Sequence, residues 1–197
     1  MDRMFNAMKD PQGYLEPEQI KRIIDSCFDF RNKVLLMVLA RSGRRISEIL
    51  MLKPKDINYA DRTIVWNILK KPKDVKGRAP RKIKPIDRNT LDSLRKYVEV
   101  REIPPERKVF EISRIRAYQI VRDACEMVGI TQIGDTKPHP HHFRHSFSVN
   151  FVRKYGDNTE TLRVLQQYLE HSDIGVTAGY LQFSQEHIRA VMEKMWE

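Results

Sequence analysis

Cysteine, glycine and long apolar runs are all scarce in this chain. Only two cysteines, Cys27 and Cys125, occur among its 197 residues. Two thiols cannot build the multi-bridge framework of a small secreted domain. Both are expected to be small apolar residues inside helices, in a reducing compartment. Glycine is limited to 8 residues and no stretch is low in complexity, which excludes wholesale disorder as the expectation. The longest apolar run, Val34 to Ala40, is far shorter than the ~20 residues that cross a bilayer. Residues 1–10 mix Asp, Arg and Lys with apolar side chains and carry no secretory hydrophobic region. What the chain has in excess is positive charge: 36 Lys and Arg against 26 Asp and Glu, a net +10. That balance suits a polyanionic partner, nucleic acid or membrane surface, without deciding between them. The length suffices to bury a core.

Residues 15–28 predict an amphipathic helix, because Pro17 suits a first turn and Ile20, Ile23, Ile24 and Cys27 recur at helical spacing. Val34 to Ala40 is apolar all round and predicts a buried second helix. Ser42-Gly43 interrupts it, and Arg44 to Leu52 resumes a helical pattern ended by Pro54. Ile64, Trp66 and Ile68 then alternate with Thr63, Val65 and Asn67, the period of a strand. With Ile83 to Ile86 they read as two antiparallel strands joined by a long hairpin loop containing Pro72, Gly77 and Pro80. From Lys70 to Lys84 there are eight basic residues and one acid, Asp74.

Helices return over Asn89 to Arg101 and from a Ser113 cap to Met127, with Gly129 near the C-terminal turn. Another is expected from Pro140 through Phe151, and a further one follows an Asp157–Glu160 capping box into Leu162, Leu165 and Leu169. In Gln185 to Trp196, Ile188, Val191, Met192 and Met195 share one face, suited to packing on the chain's own core or on a neighbouring protomer. The expected fold class is α+β, mainly helical, with a small antiparallel β-sheet.

Three separated segments carry a resemblance. Ser42-Gly43-Arg44-Arg45-Ile46-Ser47-Glu48-Ile49-Leu50, followed by Asp56-Ile57, resembles the Thr-Gly-Leu-Arg-Ile-Ser-Glu-Leu element of tyrosine recombinases, the phage-type integrase family with its Xer-like members. Pro140-His141-His142-Phe143-Arg144-His145-Ser146-Phe147 resembles their His-x-x-Arg-His-Ser/Ala-Phe helix. Leu169-Glu170-His171, with Tyr180 nine residues later, is similar to their Leu-Gly-His element and nucleophilic tyrosine. One such motif is weak and three in order are specific. The resemblance implies a tyrosine recombinase catalytic-domain fold over residues 15–197, after an N-terminal extension at 1–14. Relatives usually carry a further N-terminal DNA-binding domain, for which residues 1–14 leave too little chain.

By the same resemblance, Arg45 and Arg144 would bind the scissile phosphate, His141 and His171 would assist, and Tyr180 would attack phosphorus. Glu48 would orient Arg45. The family places a lysine in the hairpin, and Lys71 matches best, with Lys70 and Lys73 as alternatives. Lys70, Lys73, Lys76, Arg78, Arg81 and Lys82 are the candidate DNA contacts. Arg44 stands where the family has an apolar residue, Glu170 where it has Gly, and His139 where it has Ser or Thr, which should weaken the helix cap.

The residue types suit phosphoryl transfer. Charge spreads over non-bridging oxygens, so catalysis is mainly positioning and electrostatic stabilisation. Arginine keeps its charge and presents a planar fork of donors to two phosphate oxygens. His141 and Arg144, three residues apart, share a helix face, and a phosphate near that helix start could also use unpaired backbone N–H groups. Tyrosine has a reference pKa of ~10, and nearby cations favour its phenolate. The phosphotyrosine conserves the energy of the broken bond, so no ATP is needed, and a hairpin lysine can protonate the leaving 5′ oxygen.

The expected activity is site-specific recombination or integration on double-stranded DNA, without metal or other cofactor, by a cytoplasmic, DNA-associated protein. A homotetramer on paired sites is expected, with a monomer in the absence of DNA left open. His139, His141, His142 and His145 also invite a zinc reading, but no acidic or cysteine ligand stands at a useful spacing and Arg144 lies among them. Two alternatives remain: a DNA-binding module with an inactive site, and a strand-relaxing enzyme of the type IB topoisomerase kind. A membrane-surface protein would carry its basic residues on an amphipathic helix rather than a hairpin.

Overall fold

Glu16 and Gln19 close the first turn of α1 (Pro17–Asp25), the Gln19 side chain accepting from the Glu16 N–H at 2.8 Å. This computed structural model describes residues 13–69, 80–156 and 158–169. Asp29 caps α2 (Phe30–Ser42) by accepting from the Asn32 N–H at 2.8 Å. All of Val34 to Ala40 is buried, as the unbroken apolar run predicts. Around this central helix lie α1, α3 (Ile46–Ile49) and α4 (Arg88–Val100), the last capped by Asp87. Then α5 (Arg114–Glu126), capped by Ser113, packs on α1 and α3. The Gly129 expected beyond α5 has a φ of 81°, so its turn requires a residue without Cβ.

The third helix is much shorter than the pattern from Arg44 to Leu52 suggests. Arg45 has extended backbone, with ψ at 143°, and serves as the N-cap, so the helix starts after it. A 3-10 turn, Pro54–Asp56, leads to a three-stranded antiparallel sheet in the order β1 (Ile57–Asn58), β2 (Thr63–Asn67), β3 (Arg81–Pro85). Ile64 and Trp66 bury one face of β2. Opposite them, by register, stand Lys84 and Lys82, while Ile83 pairs with Val65. Directly opposed residues share a face. The last strand therefore turns its lysines toward the Trp66 side, Lys84 being buried, and leaves Ile83 65% exposed. Charges aimed inward on an outer strand discourage pairing with another chain.

The chain forms two compact units, Met1–Asn150 and Phe151–Glu197, which part within α6 (Pro140–Tyr155). In the second unit, Asn158 caps α7 (Thr159–Leu169) by accepting from the Thr161 N–H at 2.8 Å. The cap expected at Asp157 thus falls one residue later, because Asn158 is the position whose side chain reaches the Thr161 N–H. Cys125 is fully buried and its thiol is pushed up to about 12 by burial, then by Glu126. Cys27 is only partly buried, and both thiols are free. Among the described residues no helix is long and apolar enough to cross a membrane.

Candidate active site

Gly43, with a φ of 59°, ends α2 in the left-handed conformation that glycine adopts without strain. This turn brings two distant segments together. Arg144 of α6 donates from Nη1 to the Gly43 carbonyl at 2.6 Å, across 101 residues of chain. Arg144 is 2% exposed, so its guanidinium is fixed by the surrounding protein before any ligand arrives.

Two residues beyond Gly43, Arg45 holds Glu48 in two ways. Its N–H donates to Glu48 Oε2 at 3.2 Å, and its Nη1 to Oε1 at 3.1 Å. The Glu48 side chain is wholly buried, whereas 22% of the Arg45 side chain reaches solvent. The backbone bond places the carboxylate, and the single Nη1 bond then gives the Arg45 guanidinium a charged partner. Arg44, by contrast, is fully buried, in keeping with the apolar residue that the resemblance puts at its position. Of the adjacent pair, Arg45 is the one whose side chain reaches solvent.

His141 is exposed at the start of α6. Partial burial of its ring, then the positive charges of Arg144, His139, His145 and Arg45, hold its pKa below the usual imidazole value. A neutral ring at pH 7 keeps one nitrogen as donor and one as acceptor. Arg45, at the start of α3, and Arg144 and His141, on α6, thus lie close enough for both guanidinium charges to act on the His141 ring.

His139 does not weaken the cap. Its Nδ1 accepts from the His141 N–H at 3.2 Å, and His142 Nδ1 accepts from the His139 N–H at 3.1 Å. An imidazole nitrogen does here what a serine or threonine oxygen would do. The His141 N–H is therefore already taken, rather than open to a phosphate. Neither capping role was anticipated from the sequence, although a histidine before Pro140 and another three residues on have the spacing of a capping box. Among the described residues no three His, Cys, Asp or Glu side chains are arranged to hold a metal ion.

The other end of the site is held by the chain's entry. Ser146 Oγ accepts from the Leu15 N–H at 2.8 Å and donates to the His142 carbonyl at 2.7 Å. Asn150 Nδ2 donates to the Leu15 carbonyl at 2.9 Å. Arg81 forms an ion pair with Asp56, which is 4% exposed, and Lys82 is exposed on β3. Lys70, Lys71, Lys73, Lys76, Arg78, His171 and Tyr180 lie outside the described residues.

The mainly helical fold with a small antiparallel sheet is that of tyrosine recombinase catalytic domains: a crystal structure of XerA recombinase superposes with a TM-score of 0.68 at 24% identity, covering 92% of this chain and 62% of that one. The XerH site-specific recombinase in a pre-cleavage complex with its difH substrate gives 0.70 at 20% identity, covering 96% of this chain and 56% of that one. The chain belongs to the phage integrase family, whose model matches residues 13–187. Similar proteins include tyrosine recombinase XerA of Pyrococcus horikoshii, 24% identical over 91% of this chain and 60% of that protein. Tyrosine recombinase XerC of Chlorobaculum parvum is 29% identical over 98% of this chain and 56% of that protein. The chain thus spans less than two thirds of the length of these relatives.

Proposed function

We propose that this chain is the catalytic part of a site-specific recombinase that cuts and rejoins double-stranded DNA through Tyr180. The observation that carries this reading is the Arg144 bond to the Gly43 carbonyl, which joins α6 to the Arg45–Glu48 pair. Arg45 and Arg144 hold the non-bridging oxygens of one phosphodiester, and His141 and His171 add hydrogen bonds to the charge that builds there. Tyr180 releases its phenol proton to solvent, and its Oη attacks phosphorus as the phenolate that the nearby cations favour. The bond to the 5′ oxygen breaks, and a 3′-phosphotyrosyl link forms. The leaving 5′ oxygen takes its proton from a hairpin lysine, Lys71 or its neighbours Lys70 and Lys73. A 5′ hydroxyl from the partner strand reverses these steps, restoring Tyr180 and a joined strand. No bond is lost to water, so no ATP is required.

Lys70, Lys73, Lys76, Arg78 and Lys82 supply backbone contacts to the duplex, while Arg81, of the same basic stretch, is engaged by Asp56. The working assembly is a homotetramer on paired sites in the cytoplasm, at the DNA. Family membership, the fold and the net charge of +10 support these assignments.

The test is covalent trapping on a nicked suicide substrate, with divalent ions chelated and the products separated on a denaturing gel. The expected result is a DNA-linked band that Tyr180→Phe abolishes while binding of the same DNA persists. A band retained by Tyr180→Phe overturns the nucleophile. No band despite demonstrated binding overturns the cleavage reading for this chain. Lys70→Ala, Lys71→Ala and Lys73→Ala should separate on a substrate with a better leaving group, which rescues loss of the proton donor alone.

A further inference from the structure

The N-terminus of α6 is closed by two histidines rather than by a hydroxyl and a carboxylate. Pro140 is the first helical residue, so His139 is the N-cap and His142 the third helical position. Each Nδ1 accepts a backbone N–H, the His139 ring from His141 at the second helical position and the His142 ring from His139. This is a variant of the capping box in which the N-cap bond falls one residue early and the His142 N–H goes to the His139 carbonyl. The rings face each other with centroids 3.9 Å apart. His142 Nε2 lies 3.1 Å from Thr136 Oγ1, and that hydroxyl points to the Ile133 carbonyl at 3.5 Å. The backbone donors dictate the tautomer: both Nδ1 atoms are bare, both Nε2 atoms carry hydrogen, and His142 donates onward to Thr136.

Only neutral rings can do this. A proton on either Nδ1 sets two donors against each other and breaks the cap. It also puts a cation at the positive end of the helix dipole. The neighbours add to that penalty. His141 and His145 act on the His142 ring from α6, and Arg144 and Arg45 act on His141. Tyr118 of α5 stacks on His139 at 6.2 Å and carries Arg114 on its ring at 5.5 Å. Asp135 and Lys137 flank Thr136 in the preceding loop. Burial, then the charges of His139, His141 and His145, drive His142 down to about 4, and burial lowers His139.

We infer that His139 and His142 are positioning residues: their paired neutral rings hold the first turn of α6 so that His141 and Arg144 meet the reacting phosphate, and acid uncouples them. This rests on the cleavage reading given under Proposed function. The two are separable, since the caps can be observed without DNA.

The experiment measures the single-turnover rate of covalent-complex formation from pH 4 to 8.5. It compares the wild type, the double variant His139→Ser with His142→Gln, and His139→Ala. Ser-x-x-Gln keeps both capping bonds and cannot take up a proton. The double variant should keep the wild-type rate at pH 8 within about threefold and carry its acid limb at least about one pH unit lower. His139→Ala should lose about fivefold at pH 8, the worth of one cap, which His139→Ser restores. An acid limb that does not move in the double variant, or a wild-type profile flat to pH 4, overturns the inference.

Ring 15N shifts of His139 and His142 in the uncleaved wild-type protein at pH 7 provide the second arm, which needs no variant to fold. Both Nδ1 atoms should read as unprotonated acceptors, and a protonated Nδ1 on either ring overturns the capping box. If no covalent complex forms at any pH while the 15N shifts are as expected, the cleavage reading fails and the cap stands.

Discussion

Glu48 is the residue on which the geometry of the first arginine depends. Its carboxylate is wholly buried and takes two bonds from Arg45, one from the backbone that places it and one from the guanidinium that it orients. Glu48→Gln keeps an acceptor and removes the charge. A hydrogen bond to a charged group contributes about 1.5–3 kcal/mol, so the trapping rate should fall roughly tenfold to a hundredfold with DNA binding nearly intact. An unchanged rate would reduce Glu48 to a packing residue. His142 gives a second prediction at this scale, in stability rather than rate. Its folded pKa is about 4 against an ordinary value of 6.5, so the unfolded chain takes up the proton first as pH falls. Stability is therefore fully present above about pH 6.5 and is lost as pH falls toward 4, by about 3 kcal/mol in all. His142→Gln should flatten that part of the curve of melting temperature against pH. A variant curve parallel to the wild type would show that another group sets the acid loss.

Helix α6 is where the elements meet, because Ser146 and Asn150, one turn apart, grip both polar groups of Leu15. Leu15 is fully buried, so its N–H has no access to water once Ser146 loses its hydroxyl. Ser146→Ala should cost about 1–3 kcal/mol and lower the melting temperature by several degrees. A melt within about one degree of the wild type would mean that the N–H finds another acceptor. Much at this scale was legible in the sequence. The apolar run of α2, the Ser113 cap and Pro140 announce their helices because each signal is local. What was not legible depends on neighbours. β3 turns Lys84 inward because its register against Ile64 says so, and the alternation of Arg81 to Pro85 cannot name a face. The motif residues Arg45, His141 and Arg144 could be named from sequence, but the link that joins them could not. It ends on the carbonyl of Gly43, and a backbone acceptor leaves no mark in side-chain pattern.

At the scale of the whole molecule the excess charge of +10 is a statement about partners rather than about fold. Its basic residues are not equivalent. Arg81 is engaged by Asp56, a carboxylate 4% exposed, so its guanidinium already neutralises an internal charge. Lys76 and Arg78, in the same basic stretch, are the cleaner probes of phosphate contact. Each phosphate neutralised by a protein cation releases condensed counterions, which gives a slope of about −0.9 in log affinity against log salt. Replacing Lys76 and Arg78 together by Gln should make that slope shallower by about 1.8 if each meets one phosphate. Arg81→Gln should leave the slope almost unchanged and lower the melting temperature instead, since Asp56 then keeps a buried charge without its ion-pair partner. Binding titrations at several salt concentrations, alongside thermal melts of the same variants, separate the two effects. A slope that loses about one unit on Arg81→Gln alone would mean that this arginine leaves Asp56 for a phosphate when DNA binds, and that the carboxylate holds it in reserve until then.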